Sequence, residues 1–232
     1  MKTALLSAFL VTCLCGCSAQ EASEEVEGDV IKLGLYFVYD AKFAEQAIFE
    51  ENGTYNTYFT VLINAAQAYF RNHNNLKIRL TLVNSSRLEQ QNALKYATEG
   101  DTLLDAPETL SSLERIFTWN ESLSIDVDAV FLVTGSEMKT RASEMIGEWY
   151  GLAAPRSICY GNASVGIIHD DGVTFNGAHL LALQVALLVG AKKDNGMWGE
   201  CPTSDYHLTS SITGGRYPSL SYCSAVSMWD FY

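Results

Sequence analysis

Histidine is scarce in this chain of 232 residues, which contains only His73, His169, His179 and His207. No two of them are four residues apart, so no helix presents a pair of imidazoles to one metal ion. None follows a Cys/His spacing that is typical of a structural zinc site. His169 precedes two aspartates, but this segment is more simply a polar turn after a strand. The sequence therefore disfavours the usual histidine-based metal sites.

Basic residues are scarce as well. The chain has 15 Lys and Arg residues against 27 Asp and Glu residues, a formal net charge of -12. A surface this acidic repels phosphate backbones, so we expect no nucleic-acid partner. The same charge favours basic protein or peptide partners.

Apolar runs long enough to cross a bilayer are absent. The most apolar stretches, Ala4–Leu14 and Gly177–Gly190, are both shorter than the roughly 20 residues that a membrane-spanning helix needs. We therefore predict no membrane span.

The N-terminus has the organisation of a secretory signal peptide. Lys2 supplies a positive charge, Ala4–Leu14 an apolar segment, and Cys17-Ser18-Ala19 a cleavage site of small residues. A bacterial lipoprotein box at Leu14-Cys15-Gly16-Cys17 is the alternative interpretation. The first interpretation predicts a secreted, extracellular protein.

This interpretation divides the chain into three parts. Residues 1–19 form the signal peptide, and residues 20–29 form an acidic linker of Glu, Ser and Gly. Residues 30–232 form one domain, because a chain of this length holds one substantial core. Its last part, residues 190–232, shows no strong strand pattern and is predicted to be a small, loop-rich subdomain.

Only three of the six cysteines lie beyond the signal peptide, namely Cys159, Cys201 and Cys223. Export to an oxidising compartment favours one disulfide, which leaves the third thiol free, buried or paired between two molecules. N-linked glycans are expected in such a protein, and the sequence offers four Asn-X-Ser/Thr sites for them. These sites begin at Asn52, Asn84, Asn120 and Asn162.

Strand and helix patterns alternate along the domain. Runs of β-branched and aromatic residues, or of alternating polarity, predict strands, and apolar residues at helical spacing predict helices. The fold class is therefore α/β, with a mixed, mostly parallel twisted sheet and flanking helices. The predicted strands cover residues 30–39, 76–83, 129–133 and 165–168, and the predicted helices cover residues 54–70 and 106–117.

One further helix, Gly177–Gly190, is apolar almost all round. At this length it is a buried central helix. Asn176 is the predicted N-cap, and Gly190, followed by Lys192 and Lys193, marks its C-terminal end.

This helix and the segment after it resemble the active-site region of the reprolysin (adamalysin) metzincins, a family of zinc metalloproteases that includes arthropod salivary and venom members. In that family a helix carries HExxHxxG, and a third histidine followed by aspartate completes the zinc site. Here Gly190 and Asp194 match the turn glycine and that aspartate in spacing. The resemblance then places Leu183, Leu187 and Lys193 at the three ligand positions, and it places Gln184 at the catalytic-acid position.

Further segments resemble the same family in the same order. The resemblance implies a metzincin-like fold over residues 30–232 and a disulfide between Cys159 and Cys223. It leaves Cys201 over, so an intermolecular disulfide through Cys201 is one expected outcome. The matching segments are Asp128–Gly135 as a central strand, Gly151–Cys159 as the edge of the substrate cleft, Val165–Ile168 as the strand before the helix, Tyr206–Thr209 as the Met-turn with Leu208 in place of methionine, and Tyr217–Ser224 as the final F-S-x-C-S segment.

The substitutions remove both the metal and the mechanism that the resemblance would otherwise imply. An aliphatic chain has no lone pair, Lys193 is cationic, and Gln184 cannot take a proton from metal-bound water. We therefore predict an inactive homologue with no cofactor, acting by binding an extracellular protein or peptide. The alternative is an active zinc-dependent metalloendopeptidase with an atypical site, and only this alternative needs zinc. Pro155, inside the predicted edge strand, weighs against peptide binding along that edge.

Overall fold

The computed structural model describes residues 30–71, 76–97, 102–139, 151–194, 201, 207–209 and 218–231. The predicted signal peptide, residues 1–19, and the linker, residues 20–29, lie outside the described residues. So does His73, together with much of the predicted C-terminal subdomain. Within the described parts, no helix is long and apolar enough to cross a membrane.

The chain forms an α/β domain. Strands and helices alternate along most of it, as the sequence pattern predicted. The strands are β1 (Val30–Tyr39), β2 (Lys77–Arg87), β3 (Leu104–Asp105), β4 (Ala129–Thr134), β5 (Met138–Lys139), β6 (Gly151–Ala153) and β7 (Ser164–His169). The helices are α1 (Ala41–Gln46), α2 (Asn56–Gln67), α3 (Ala106–Phe117), α4 (Gly177–Leu188) and α5 (Tyr222–Phe231), and short 3₁₀ turns cover Ala68–Phe70 and Gln91–Ala93.

Five strands form the main sheet in the order β2-β1-β4-β7-β6. All neighbours are parallel except β6, which runs antiparallel to β7 at one edge. β3 and β5 form a separate two-stranded parallel sheet. The predicted class, a mixed and mostly parallel sheet with flanking helices, is confirmed.

The sheet carries a hydrophobic core on each face. On one face, α2 and α4 pack over aromatic side chains, and Phe37 stacks on Phe59 with ring centroids 4.6 Å apart. On the other face, α3 packs through Leu110 and Leu113. β4 is buried at every position, as expected of a central strand covered on both sides.

Three predicted elements differ from the structure. β2 continues to Arg87 instead of ending at Val83. Val83 is an extra residue at a register shift beside Leu35 and Tyr36. Beyond this bulge the alternation of polar and apolar residues is out of phase, so the pattern does not predict the rest of the strand. β6 ends at Ala153, so Pro155 lies in the following turn rather than inside the strand. Residues 190–232, predicted to be loop-rich, contain a helix, α5.

Candidate functional site

The register of the candidate site depends on the turn that ends α4. Gly190 has φ +100°, and its N–H donates to Leu187 O at 3.0 Å, while Ala191 N–H donates to Ala186 O at 2.8 Å. This is a Schellman ending with glycine in the left-handed position. A Cβ at Gly190 would lie 2.8 Å from Phe231 on α5. The turn predicted at Gly190 is therefore confirmed, and both backbone and packing require glycine there.

Counted back from this turn, the two predicted ligand positions on α4 are occupied by buried leucine side chains. Leu183 is 7% exposed and Leu187 is 3% exposed, and both belong to the core beneath the sheet. Leu208, in the predicted Met-turn, is fully buried in the same core. The three side chains occupy volume and present no donor atom to a metal ion.

Gln184, at the position of the catalytic acid, is 1% exposed. Its Nε2 is buried without a hydrogen-bond partner. The amide packs against β6, where a Cβ at Gly151 would lie 2.9 Å from Nε2. An unsatisfied buried amide costs about 1–3 kcal/mol, so this side chain destabilises the fold where it stands.

The third predicted ligand position, Lys193, is exposed. The next residue, Asp194, is fully buried and accepts hydrogen bonds from Thr209 Oγ1 and Ser221 Oγ, each at 2.7 Å. His207 Nδ1 lies 3.5 Å from Asp194 Oδ2. Asp194 thus joins the segment after the turn to Thr209 and Ser221, and the two hydroxyls satisfy its carboxylate.

The two other described histidines, His169 and His179, have local roles. His169 Nδ1 lies 3.0 Å from the backbone oxygen of Ser136. His179 packs edge-on against Tyr69, with ring centroids 5.5 Å apart, and burial lowers its pKa. Among the described residues, no group of three His, Cys, Asp or Glu side chains is arranged to hold a metal ion. Leu183 and Leu187 supply no donor atom, so the two predicted ligand positions on α4 do not fit zinc.

A buried carboxylate at the start of α4 escaped the sequence prediction. Asp170 is fully buried and accepts from the Tyr58 hydroxyl, from Gly172 N–H at 2.7 Å and from Gly177 N–H at 2.8 Å. Burial raises its pKa, while these hydrogen bonds act in the opposite direction. Asn176 occupies the predicted N-cap position, but its side chain makes no cap hydrogen bond and accepts from Asp171 N–H instead. Asp170 therefore caps this helix.

The cysteines are arranged differently from the pairing that the resemblance implied. None of the three forms a disulfide, and Cys159 is exposed on the loop after β6. The Cys201 thiol is buried and lies beside the thiol of Cys223. Burial, and then this neighbouring thiol, raise the pKa of Cys201 to about 11. Cys201, rather than Cys159, therefore lies beside Cys223 here, and the Cys159–Cys223 disulfide stays a prediction.

The four predicted glycosylation sites lie at or near the surface. Asn52, Asn84 and Asn162 are exposed, and Asn120 is half-buried. Asn52 lies in a turn with φ 53°. Asn120 Oδ1 accepts from both the backbone N–H and the hydroxyl of Ser122. Glycosylation at these four residues stays a prediction.

The loop after β6 is bound to both α4 and α5. Arg156 N–H donates to Leu187 O at 2.9 Å, and Ile158 N–H donates to Leu188 O at 3.3 Å. The Arg156 guanidinium also donates to Ser227 Oγ at 3.1 Å and lies 5.9 Å from the Phe231 ring centroid. These contacts satisfy carbonyl groups at the end of α4 and join three segments that are distant in sequence.

Comparison with known proteins finds similarity only at the level of structure. No protein-family profile matches the chain, and no curated protein shows significant sequence similarity to it. Metalloproteinase-II from Bacteroides fragilis matches with a TM-score of 0.51 and 16% identity over 87% of this chain and 53% of that chain. A structure described as a chaperone-substrate complex matches with a TM-score of 0.54 and 12% identity over 86% of this chain and 34% of that chain.

A third structure, archaemetzincin from Methanopyrus kandleri, has a TM-score of 0.45 and 10% identity over 86% of this chain and 95% of that chain. That score is too low to carry an argument. This chain spans about half the length of the Bacteroides metalloproteinase that it matches. At such identities the similarity shows the fold alone. The chain therefore shares an α/β fold with the Bacteroides metalloproteinase, and its assignment to the reprolysin metzincins stays a prediction.

Proposed function

We propose that this protein is a secreted, catalytically inactive homologue of the zinc metalloendopeptidases, and that it binds an extracellular protein or peptide. The observation that carries the proposal is the burial of Leu183 and Leu187 where the resembling proteases have zinc-binding histidines. Neither side chain has a lone pair, so two of the three expected ligands are missing.

The other two positions support the same conclusion. Gln184 is buried and cannot act as a general base, because an amide does not take up a proton near neutral pH. Lys193 is exposed and would bring a positive charge towards a divalent cation. No hydrolytic step is therefore assigned to this chain.

Binding of an extended peptide is compatible with the sheet. β6 lies at one end of the main sheet, and a peptide can add to such an edge without a metal ion. The objection from Pro155 loses its force, because β6 ends at Ala153 and the proline interrupts no ladder hydrogen bond. The net charge of -12 favours a basic partner.

Elemental analysis of the purified mature protein tests the inactive site. We expect far less than one equivalent of zinc per molecule. We also expect no zinc-dependent cleavage of a peptide library, that is, no cleavage that requires added zinc or that a chelator inhibits. About one equivalent of bound zinc together with chelator-sensitive cleavage would establish the alternative, an active metalloendopeptidase with an atypical site. Immobilised protein should also retain a partner from extracellular extract, and failure to retain one would count against the binding function.

A reconstructed site tests the register independently. The variant Leu183→His, Gln184→Glu, Leu187→His and Lys193→His restores the four residues of the resembling motif. If these positions face one centre, the folded variant should bind zinc more tightly than the parent. Failure of a correctly folded variant to bind zinc would contradict the register. Circular dichroism and the parent's unfolding transition serve as the folding control.

A further inference from the structure

Two exposed aromatic side chains meet on the face of the sheet that α3 covers. Trp119, just after α3, is 64% exposed, and Tyr160, in the loop after β6, is 63% exposed. Their ring centroids are 5.6 Å apart at an interplanar angle of 70°. The backbone hydrogen bond from Asn162 N–H to Thr118 O, 2.6 Å long, joins the two loops. Large aromatic rings that are exposed to solvent and packed against each other are typical of binding surfaces.

The aromatic pair borders a cavity of about 330 Å³ between α3 and the loop after β6. Thr118, Ser164 and Val165 are among the residues that line it, together with one acidic residue, Glu114, and one basic residue, Arg115. A space of this size lies at the lower end of the range for small ligand sites, which is about 300–1,000 Å³. It accommodates one long side chain of a partner.

Glu114 is half-buried in the wall of this cavity. Among the described residues, its carboxylate contacts neither a cation nor a hydrogen-bond donor, and burial raises its pKa. The neighbouring Arg115 is held by its own helix, because its guanidinium donates to Ser111 O and Ser112 Oγ, each at 3.1 Å. A partly desolvated carboxylate without a partner is stabilised when a cation approaches it.

We propose that Trp119, Tyr160 and Glu114 form a binding site for a lysine or arginine side chain in a basic segment of an extracellular partner. The aromatic faces attract the cation through their quadrupoles, and the carboxylate supplies the opposite charge. The net charge of -12 raises the local concentration of basic ligands. A neutral sugar ring would also stack on the aromatic pair, but it would leave the carboxylate without a counter-charge.

This inference rests on the proposed binding function and locates it away from the former protease site. α3 packs on one face of the sheet, whereas α4, with Leu183, Gln184 and Leu187, packs on the other. Substitutions at the aromatic pair should therefore leave the region around α4 unchanged. The two sites are testable one at a time.

Fluorescence anisotropy with labelled hexalysine and hexaarginine, on glycosylated mature protein from a secretory host, tests the site. Trp119→Ala and Tyr160→Ser should each weaken binding about 2- to 30-fold, the range of a cation–π contact. Glu114→Gln should weaken it about 10-fold and reduce its salt dependence. Trp229→Ala and Glu45→Gln, exposed residues elsewhere on the surface, should bind as the parent does.

Three results would overturn the proposal. In one, all variants bind hexalysine like the parent. In another, hexa(Nε-acetyl-lysine) binds as tightly as hexalysine, which would mean that charge is not recognised. In the third, hexalysine binds only after Asn162→Gln, which would mean that the glycan covers the site in the secreted protein. Zinc content and peptide cleavage, measured on the same sample, test the proposed function separately.

Discussion

Replacement of Gln184 by methionine should stabilise the protein. The Nε2 of Gln184 is buried without a partner, and methionine is an unbranched side chain of similar length that has no amide to desolvate. Relief of an unsatisfied buried group contributes about 1–3 kcal/mol. For a domain of this size, each kcal/mol raises Tm by about 2–4 °C.

Gln67 provides the matched control, because it is a glutamine whose amide is fully used. Its Nε2 donates to Ile78 O at 2.6 Å, and its Oε1 accepts from Leu80 N–H at 2.8 Å, which joins α2 to β2. Gln67→Met removes both hydrogen bonds and should destabilise the protein by about 1–3 kcal/mol. The same substitution at the two positions should therefore act in opposite directions.

Urea unfolding of the two variants and the parent, followed by circular dichroism, measures both effects. Equal m-values are needed for the comparison, because they show that the surface exposed on unfolding is unchanged. If Gln184→Met is less stable than the parent, the amide has a bound partner in solution. The premise that this amide lacks a hydrogen-bond partner would then be wrong.

Two other predictions concern the cysteines and the buried carboxylate. Peptide mapping of the exported protein should find Cys201 linked to Cys223 and Cys159 open to alkylation; a Cys159–Cys223 peptide would contradict the geometry. Tyr58→Phe should destabilise the protein by about 1.5–3 kcal/mol at neutral pH, because it removes a donor from the charged form of Asp170. The folded-state pKa of Asp170 is already raised and should rise further in the variant, so stability is lost as pH rises through it. The deficit should therefore shrink near pH 4 and below, and a deficit independent of pH would refute this account.

Local patterns were sufficient to predict much of the fold. β1 and α3 have the predicted bounds, because the first is a continuous run of strand-forming residues and the second has a sharply amphipathic face. The buried helix and its closing glycine followed from composition and spacing alone. Such signals are complete within a short stretch of chain.

Other features depend on parts of the chain that are far apart. α1 is a single short helix that Asp40 caps, and no periodicity emerges in six residues. Ser224 and Ser227 lie on the buried face of α5, where their hydroxyls donate to backbone carbonyls at and near Gly190. Because these buried residues are polar, a polarity pattern does not reveal the buried face of the helix. The pairing of Tyr58 with Asp170 spans 112 residues. No local rule reports contacts of that kind.

The contacts of α5 with the loop after β6 and with the end of α4 have a practical consequence for handling this protein. Because α5 contacts the Arg156 guanidinium and packs against Gly190, shortening the chain within α5 would remove those contacts and expose the end of the apolar helix α4 to water. An affinity tag for immobilisation is therefore better placed directly after the predicted signal cleavage point than near α5. Proteolytic removal of α5 should therefore expose apolar surface of α4 and cause the protein to aggregate.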